Sequence, residues 1–187
     1  MVDVDYRGST GYGRSYRNAL RAHWGVLDVT DCIDAVCALG QDESLDLTRV
    51  VISGASAGGY TALRAATTTN YFRAATARSA IVDPVAWRAA APKFQSHHAD
   101  LLLGPLERWR DRSLLRPGTT AHCPILALHG GQDRVTPLGQ VQQFVATAGE
   151  SVSLVVYPDE SHGLSQPTNV KNAMQAELDH YRAALNS

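Results

Sequence analysis

Val50-Val51-Ile52-Ser53-Gly54-Ala55-Ser56-Ala57-Gly58-Gly59 is the stretch that decides the fold of this chain. Its first four residues form a short apolar run of the kind found in strands buried on both faces of a parallel sheet. Gly54-x-Ser56-x-Gly58 follows, and then an Ala-rich segment to about Ala66 that reads as a helix. A strand, a sharp turn and a helix are what a nucleophile elbow requires: the turn lifts the serine Oγ above the sheet, and flanking glycines let the strained backbone pass. The five-residue pattern alone arises by chance on the order of 0.1 times in a chain of this size, so its setting carries the reading. The alternative is a Gly-rich loop that only packs tightly, or one that cradles an anion at a helix N-terminus.

Outward from this stretch, Val-, Ile- and Leu-rich segments alternate with segments of helical period, which predicts an α/β layer fold with a largely parallel sheet. Val2–Tyr6 alternates apolar and acidic residues and runs into the turn-forming Arg7–Gly13, so it reads as a strand and its exit loop. Val29, Cys32, Ile33, Val36 and Cys37 recur at helical spacing, with Asp28, Asp31 and Asp34 expected to face away. Ala74–Val82 reads as a further strand, and residues 84–118, with four prolines, as an irregular excursion with short helices. Pro124–His129 is an apolar strand ending in Gly130-Gly131-Gln132-Asp133. Thr136-Pro137 is a start signal for a helix whose stripe is Leu138, Val141, Phe144, Val145 and Ala148. Val152–Tyr157 is the last strand, and Thr168 opens a final helix with Val170, Met174, Leu178, Tyr181 and Leu185 on one face.

The chain has 187 residues, 44% of them hydrophobic and 19% charged, which is the composition of a single globular domain with a real core. Its formal net charge of −1 lacks the basic footprint of a nucleic-acid or anionic-membrane binder. No apolar run approaches the roughly 18 residues of a membrane span, and no secretory signal is visible, so the expected setting is cytoplasmic. Cys32, Cys37 and Cys123 have no CxxC spacing and suggest neither a disulfide framework nor a zinc site. Cys32 and Cys37 are read as small buried hydrophobes on their helix. A dinucleotide site is disfavoured because no GxGxxG follows the first strand.

A serine hydroxyl needs a base, and the base needs an orienting acid. In sheets that carry an elbow of this kind, the acid and the histidine follow the serine in that order at later strand ends. Asp133 and His162 meet that order, each in a loop after a predicted strand. The other histidines compete poorly: His129 precedes the acid, His180 lies mid-helix, the adjacent His97 and His98 read as surface or packing residues, and His23 and His122 are solitary. Asp159 and Glu160 are too close to His162 to be the strand-end acid and are read as solvated. Ser56 is thus the expected nucleophile, His162 the general base, Asp133 its orienting acid, and the Ala57 N–H one oxyanion donor. Tyr60 is weighed as a lining of the acyl pocket against a core tyrosine. Arg7 is weighed as a holder of a substrate carboxylate against pairing with an acid in its own loop. Trp87, Phe94 and Trp109 are read as packing residues of the excursion.

Four stretches in order resemble the catalytic domain of the prolyl oligopeptidase family of serine peptidases. They are Asp5-Tyr6-Arg7-Gly8-Ser9-Thr10-Gly11-Tyr12-Gly13, Gly54-Ala55-Ser56-Ala57-Gly58-Gly59-Tyr60, His129-Gly130-Gly131-Gln132-Asp133 and His162-Gly163. The likeness is greatest to the branch of acylaminoacyl peptidases and dipeptidyl peptidases. It implies an α/β-hydrolase fold with helices on both faces of a mostly parallel sheet. It also implies cleavage of short peptides or acylated amino acids without metal or organic cofactor, and it places Ser56, Asp133 and His162 on the family's triad and Ala57 on its post-serine oxyanion position. The family's hydrolase domain starts well upstream of the segment resembling Val2–Gly13, usually after a β-propeller. The resemblance therefore implies an N-terminally truncated domain without the strand that ends in a His-Gly-Gly-Pro-like loop. That strand lies between the two resembling Val2–Tyr6 and Val50–Ser53. Its loss would leave unpaired backbone groups costing about 1–3 kcal/mol each, or an exposed sheet edge free to self-associate. A carboxylesterase with the same triad and a non-catalytic fragment are the competing readings.

Overall fold

The computed structural model describes residues 1–41, 45–90 and 98–186. Phe94, Pro92 and His97 lie outside the described residues. Two compact units are formed, one by Met1–Thr48 with Pro84–Ser113, the other by Arg49–Asp83 with Leu114–Ser187.

The second unit is built on a four-stranded, all-parallel sheet of β1 (Val51–Ala55), β2 (Ala74–Arg78), β3 (Ile125–Gly130) and β4 (Val152–Tyr157), in that spatial order. Ser53 is in register with Thr76, Thr76 with Leu126, and Leu128 with Val155. The connections carry α3 (Ala57–Thr68) and α7 (Leu138–Ala148), and the unit ends in α8 (Pro167–Leu185). Because strand side chains alternate between faces, Gly54, which lies against Gly58 of α3, belongs to the face opposite Thr76, Leu126 and Leu128. Leu126 and Leu128 pack with Tyr157 and with Ala173 of α8. Helices therefore cover both faces, which is the α/β architecture expected. All six residues of β3 are buried, as its apolar run requires. Val141 and Phe144 anchor the predicted stripe of α7.

Four readings of this unit are corrected. In β1 only Ile52 is buried and Ser53 and Ala55 are exposed, because β1 is the edge strand of the observed sheet with β2 as its one neighbour. Thr136 does not cap α7: its hydroxyl is committed to Asp133 and Ser79, and Pro137 holds the N-cap position. The helix predicted to open at Thr168 instead begins at Pro167 and is turned about its axis. Its buried residues are Ala173, Glu177 and Ala184, while Met174 and Leu178 are 65% and 43% exposed. Polar partners hold it that way: Glu177 pairs with Arg78, the Tyr181 hydroxyl donates to Glu177 Oε1 at 2.7 Å, and His180 Nε2 donates to the Ala75 carbonyl at 3.1 Å. Glu160, read as solvated, is 1% exposed.

The first unit contains α1 (Gly13–Ala19), α2 (Leu27–Leu39), α4 (Pro84–Ala90), α5 (His98–Leu103) and α6 (Leu106–Trp109), the short helices expected of the excursion among them. Val2–Tyr6 is not a strand. Alternation gives a segment two faces, but a strand also needs a neighbour for its backbone groups, and none pairs with it among the described residues. Asp28 and Asp31 do not face away: Asp28 is fully buried and accepts the Gly25 N–H at 2.6 Å, and Asp31 takes the Arg7 backbone N–H and guanidinium. Cys37 is exposed and Cys32 only half-buried, so the cysteines are not the buried pair expected. Trp24 and Trp87 meet edge to face with centroids 5.7 Å apart, and Arg88 lies over Trp109, in keeping with packing roles for both excursion tryptophans.

Candidate active site

Every member of the expected triad lies in the second unit. Ser56 joins β1 to α3 with φ +54° and ψ −114°, a conformation that non-glycine residues rarely adopt. Its neighbours hold it there. The Ser56 N–H donates to the Arg78 carbonyl at 2.8 Å, and its own carbonyl accepts the Tyr60 N–H at 3.0 Å. A Cβ on Gly54 would stand 2.2 Å from the Gly58 carbonyl oxygen, so the strand and the first turn of α3 can close only over a glycine. Gly59 is needed for the same reason against Ala80, whereas a Cβ on Gly58 meets nothing within 4 Å.

Asp133 sits in the turn after β3, with its side chain 0% exposed. Its Oδ1 accepts the backbone N–H of Val135 at 2.8 Å and of Thr136 at 2.9 Å. Its Oδ2 accepts the Thr136 hydroxyl at 2.7 Å and faces His162 Nδ1 at 2.9 Å. Burial would raise this carboxyl, but the bonds from Thr136, His162 and Val135 outweigh it and hold Asp133 below the usual carboxylate range. With the carboxylate at Nδ1, the His162 proton resides there and Nε2 is left as an acceptor. The Ser56 hydroxyl donates to that nitrogen at 3.0 Å. Serine, imidazole and carboxylate thus form one unbroken run.

Three residues that sequence reasoning set aside surround it. His129 is 1% exposed, donates from Nε2 to the Thr136 carbonyl at 2.7 Å, and lies 3.5 Å from Asp133 Oδ2. Burial pushes its imidazole down, against the Thr136 bond and the Asp133 charge, and keeps it neutral. The Thr136 hydroxyl lies 3.1 Å from the Ser79 carbonyl and 3.4 Å from His162 Nδ1. Glu160 accepts four hydrogen bonds, taken up below. The available signals were a polar residue closing an apolar strand, a threonine three places after the acid, and an acid shortly before a Pro-led helix.

Ala57 is the first residue of α3, so its N–H is among those with no acceptor inside the helix. Tyr60 is 0% exposed and sits in the core. Arg7 belongs to the other unit, where its guanidinium is paired with Asp31.

The family model described as the prolyl oligopeptidase family matches residues 1–187. The chain belongs to that family. It is 32% identical to an uncharacterised peptidase, YuxL, of Bacillus subtilis over 89% of its length and 26% of the relative's. It is 29% identical to the mouse acylamino-acid-releasing enzyme over 87% of its length and 24% of that enzyme's. A solved puromycin-hydrolysing peptidase of Mycobacterium tuberculosis superposes with a TM-score of 0.90 at 38% identity, over 98% of this chain and 29% of that one. The chain thus spans about a quarter of the length of the proteins it matches. Its fold is that of the α/β-hydrolase peptidases.

Proposed function

We propose that this chain is the catalytic part of a serine-type peptidase that hydrolyses short peptides or acylated amino acids through an acyl-enzyme. The observation that carries this is the run from Ser56 Oγ to His162 Nε2 at 3.0 Å and from His162 Nδ1 to Asp133 Oδ2 at 2.9 Å, on a positive-φ serine. Ser56 Oγ attacks the scissile carbonyl carbon while its proton passes to His162 Nε2. The carbonyl oxygen gains the negative charge, which the Ala57 N–H, without an acceptor inside α3 as its first residue, stabilises. As the tetrahedral species collapses, the C–N bond breaks and Nε2 returns the proton to the departing amine. Water then attacks the acyl ester by the same route, giving up its proton to Nε2, which hands it back to Ser56. Asp133, ionised and desolvated, holds the Nδ1–H tautomer and stabilises the imidazolium formed in each half-reaction. Two relatives, a puromycin-hydrolysing peptidase and an acylamino-acid-releasing enzyme, support the substrate class.

The test is covalent labelling of the full 187-residue chain by a fluorophosphonate probe. Stoichiometric labelling that disappears in Ser56→Ala is expected, along with a loss of roughly 10⁴- to 10⁶-fold in turnover for that variant. A folded chain that does not label overturns the reading. Turnover of p-nitrophenyl esters without any aminoacyl anilide would replace the peptidase with a carboxylesterase.

A further inference from the structure

Resting on the triad reading above, we propose that Glu160 is a positioning residue for His162: its buried carboxylate ties both ends of the loop that carries the imidazole. The side chain reaches forward along the chain. It accepts the Ser165 backbone N–H at 2.9 Å, the Ser165 hydroxyl at 2.9 Å, the Gln166 N–H at 2.9 Å and the Asn169 side-chain amide at 3.0 Å. Residues 161–166 are thereby closed into a ring, with His162 near its start. α8 has no side-chain cap of its own at Gln166, and the carboxylate stands beside its first turn, where the helix dipole favours a negative charge.

The backbone of Glu160 reaches the other way, toward the acid. Its N–H donates to the Tyr157 carbonyl at 3.1 Å, and its carbonyl accepts the N–H of Gln132, the residue before Asp133, at 2.9 Å. At this contact a Cβ on Gly130 would lie 2.0 Å from the Ser161 carbonyl oxygen and 2.6 Å from that of Glu160. The two loops are thus pressed together over a glycine. Glu160 stands where the acid loop, the histidine loop and the start of α8 meet. A carboxylate accepts at all of its lone-pair sites, and four donors converge on it; an amide in the same place would turn a donor toward some of them. Its charge and shape both matter. The consequence is a fixed distance from Asp133 to His162 Nδ1, and hence from Nε2 to Ser56.

Glu160→Gln, Glu160→Asp and Val141→Ala full chains, the last a core variant within α7 and outside both loops, would be compared by fluorophosphonate labelling rate, thermal unfolding and the downfield NMR signal of the His162 Nδ1 proton. Labelling by Glu160→Gln is expected to fall roughly 10- to 100-fold, because misplacing a reacting group by about 1 Å costs about 10²-fold. The Nδ1 signal should shift upfield or broaden, Glu160→Asp should recover part of both readouts, and Val141→Ala should label within about twofold of the parent despite a lower Tm. A folded Glu160→Gln with an unchanged Nδ1 signal and labelling within about twofold overturns the proposal. If Glu160→Gln does not fold, Asn169→Ala, which removes one donor to the same carboxylate, is read in its place against the same criteria. A parent chain that fails to label refutes the peptidase reading alone, since the Nδ1 signal still reports whether Glu160 sets the imidazole.

Discussion

Ser56 occupies a backbone conformation that costs about 1–3 kcal/mol, and such strain persists only where the surroundings over-determine it. Here they are the Arg78 carbonyl on one side and the closed turn over Gly54 on the other. Gly54→Ala should lose about 3 kcal/mol or more, the upper end of overpacking penalties, because its Cβ meets backbone that cannot step aside. Gly58→Ala, with open space around its Cβ, should be neutral or stabilise α3 by up to about 1 kcal/mol. Urea unfolding of the two variants decides this, and equal losses would refute it. The pattern Gly-x-Ser-x-Gly was legible in the sequence, but not which glycine is indispensable, since that depends on how close α3 comes to β1. That Asp133 and His162 come together with Ser56 was legible because strand ends and chain order constrain them. Glu160 was not: a carboxylate two residues before His162 looks solvated until backbone N–H groups five and six residues on fold back to meet it. Thr136 was read as a helix cap, a role that uses the same hydroxyl it gives to Asp133.

At the scale of elements, apolar runs located β1, β3 and β4 closely, although only β3 is buried along its whole length, as a central parallel strand must be, whereas β1 buries only Ile52 and β4 only Val152 and Tyr157. Helices follow a less direct rule. α8 lays Ala173, Glu177 and Ala184 on the sheet because small side chains permit close approach and Arg78 supplies a partner for the acid. Hydrophobic periodicity therefore selected the wrong side, through Met174 and Leu178. Substitution separates the two assignments. Met174→Lys should change stability by no more than about 0.5 kcal/mol, as an exposed position does. Ala173→Leu should cost about 1–3 kcal/mol by overpacking the contact with Leu126 and Leu128. A loss above about 1 kcal/mol for Met174→Lys would return the helix to the orientation its apolar residues suggest. Val2–Tyr6 failed as a strand for a different reason: its own pattern was adequate, but pairing is a property of two segments.

Over the whole molecule, titration should give stability a bounded pH window, and the cited shifts fix its edges. His129 and His180 are both pushed below the ordinary 6.5 by burial. As the pH falls through 6.5 the unfolded chain takes up protons that these folded imidazoles refuse, so stability declines. A second decline begins near 4.5. Glu160 is lowered from 4.5 to about 2 by its bonds from Ser165, Asn169 and Gln166, and Asp133 and Asp31 are also lowered. The stability these carboxylates contribute is complete above their ordinary values and is lost as they protonate. On the alkaline side, burial raises Cys32 and Cys123 from 9.0 to about 11 and Tyr181 from 10.0 to about 12. There the unfolded chain releases protons first, so stability falls again above about 9. Thermal unfolding of the full chain should therefore give a Tm plateau between about 6.5 and 9, with a shallow decline below it and a steeper one below about 4.5. His129→Asn removes one of the two imidazoles behind the shallow limb and should flatten it, whatever it does to Tm on the plateau. A parent Tm that stays level from 6.5 down to 4.5 would mean that the imidazoles of His129 and His180 accept protons where they stand, and that burial does not keep His129 neutral beside Asp133.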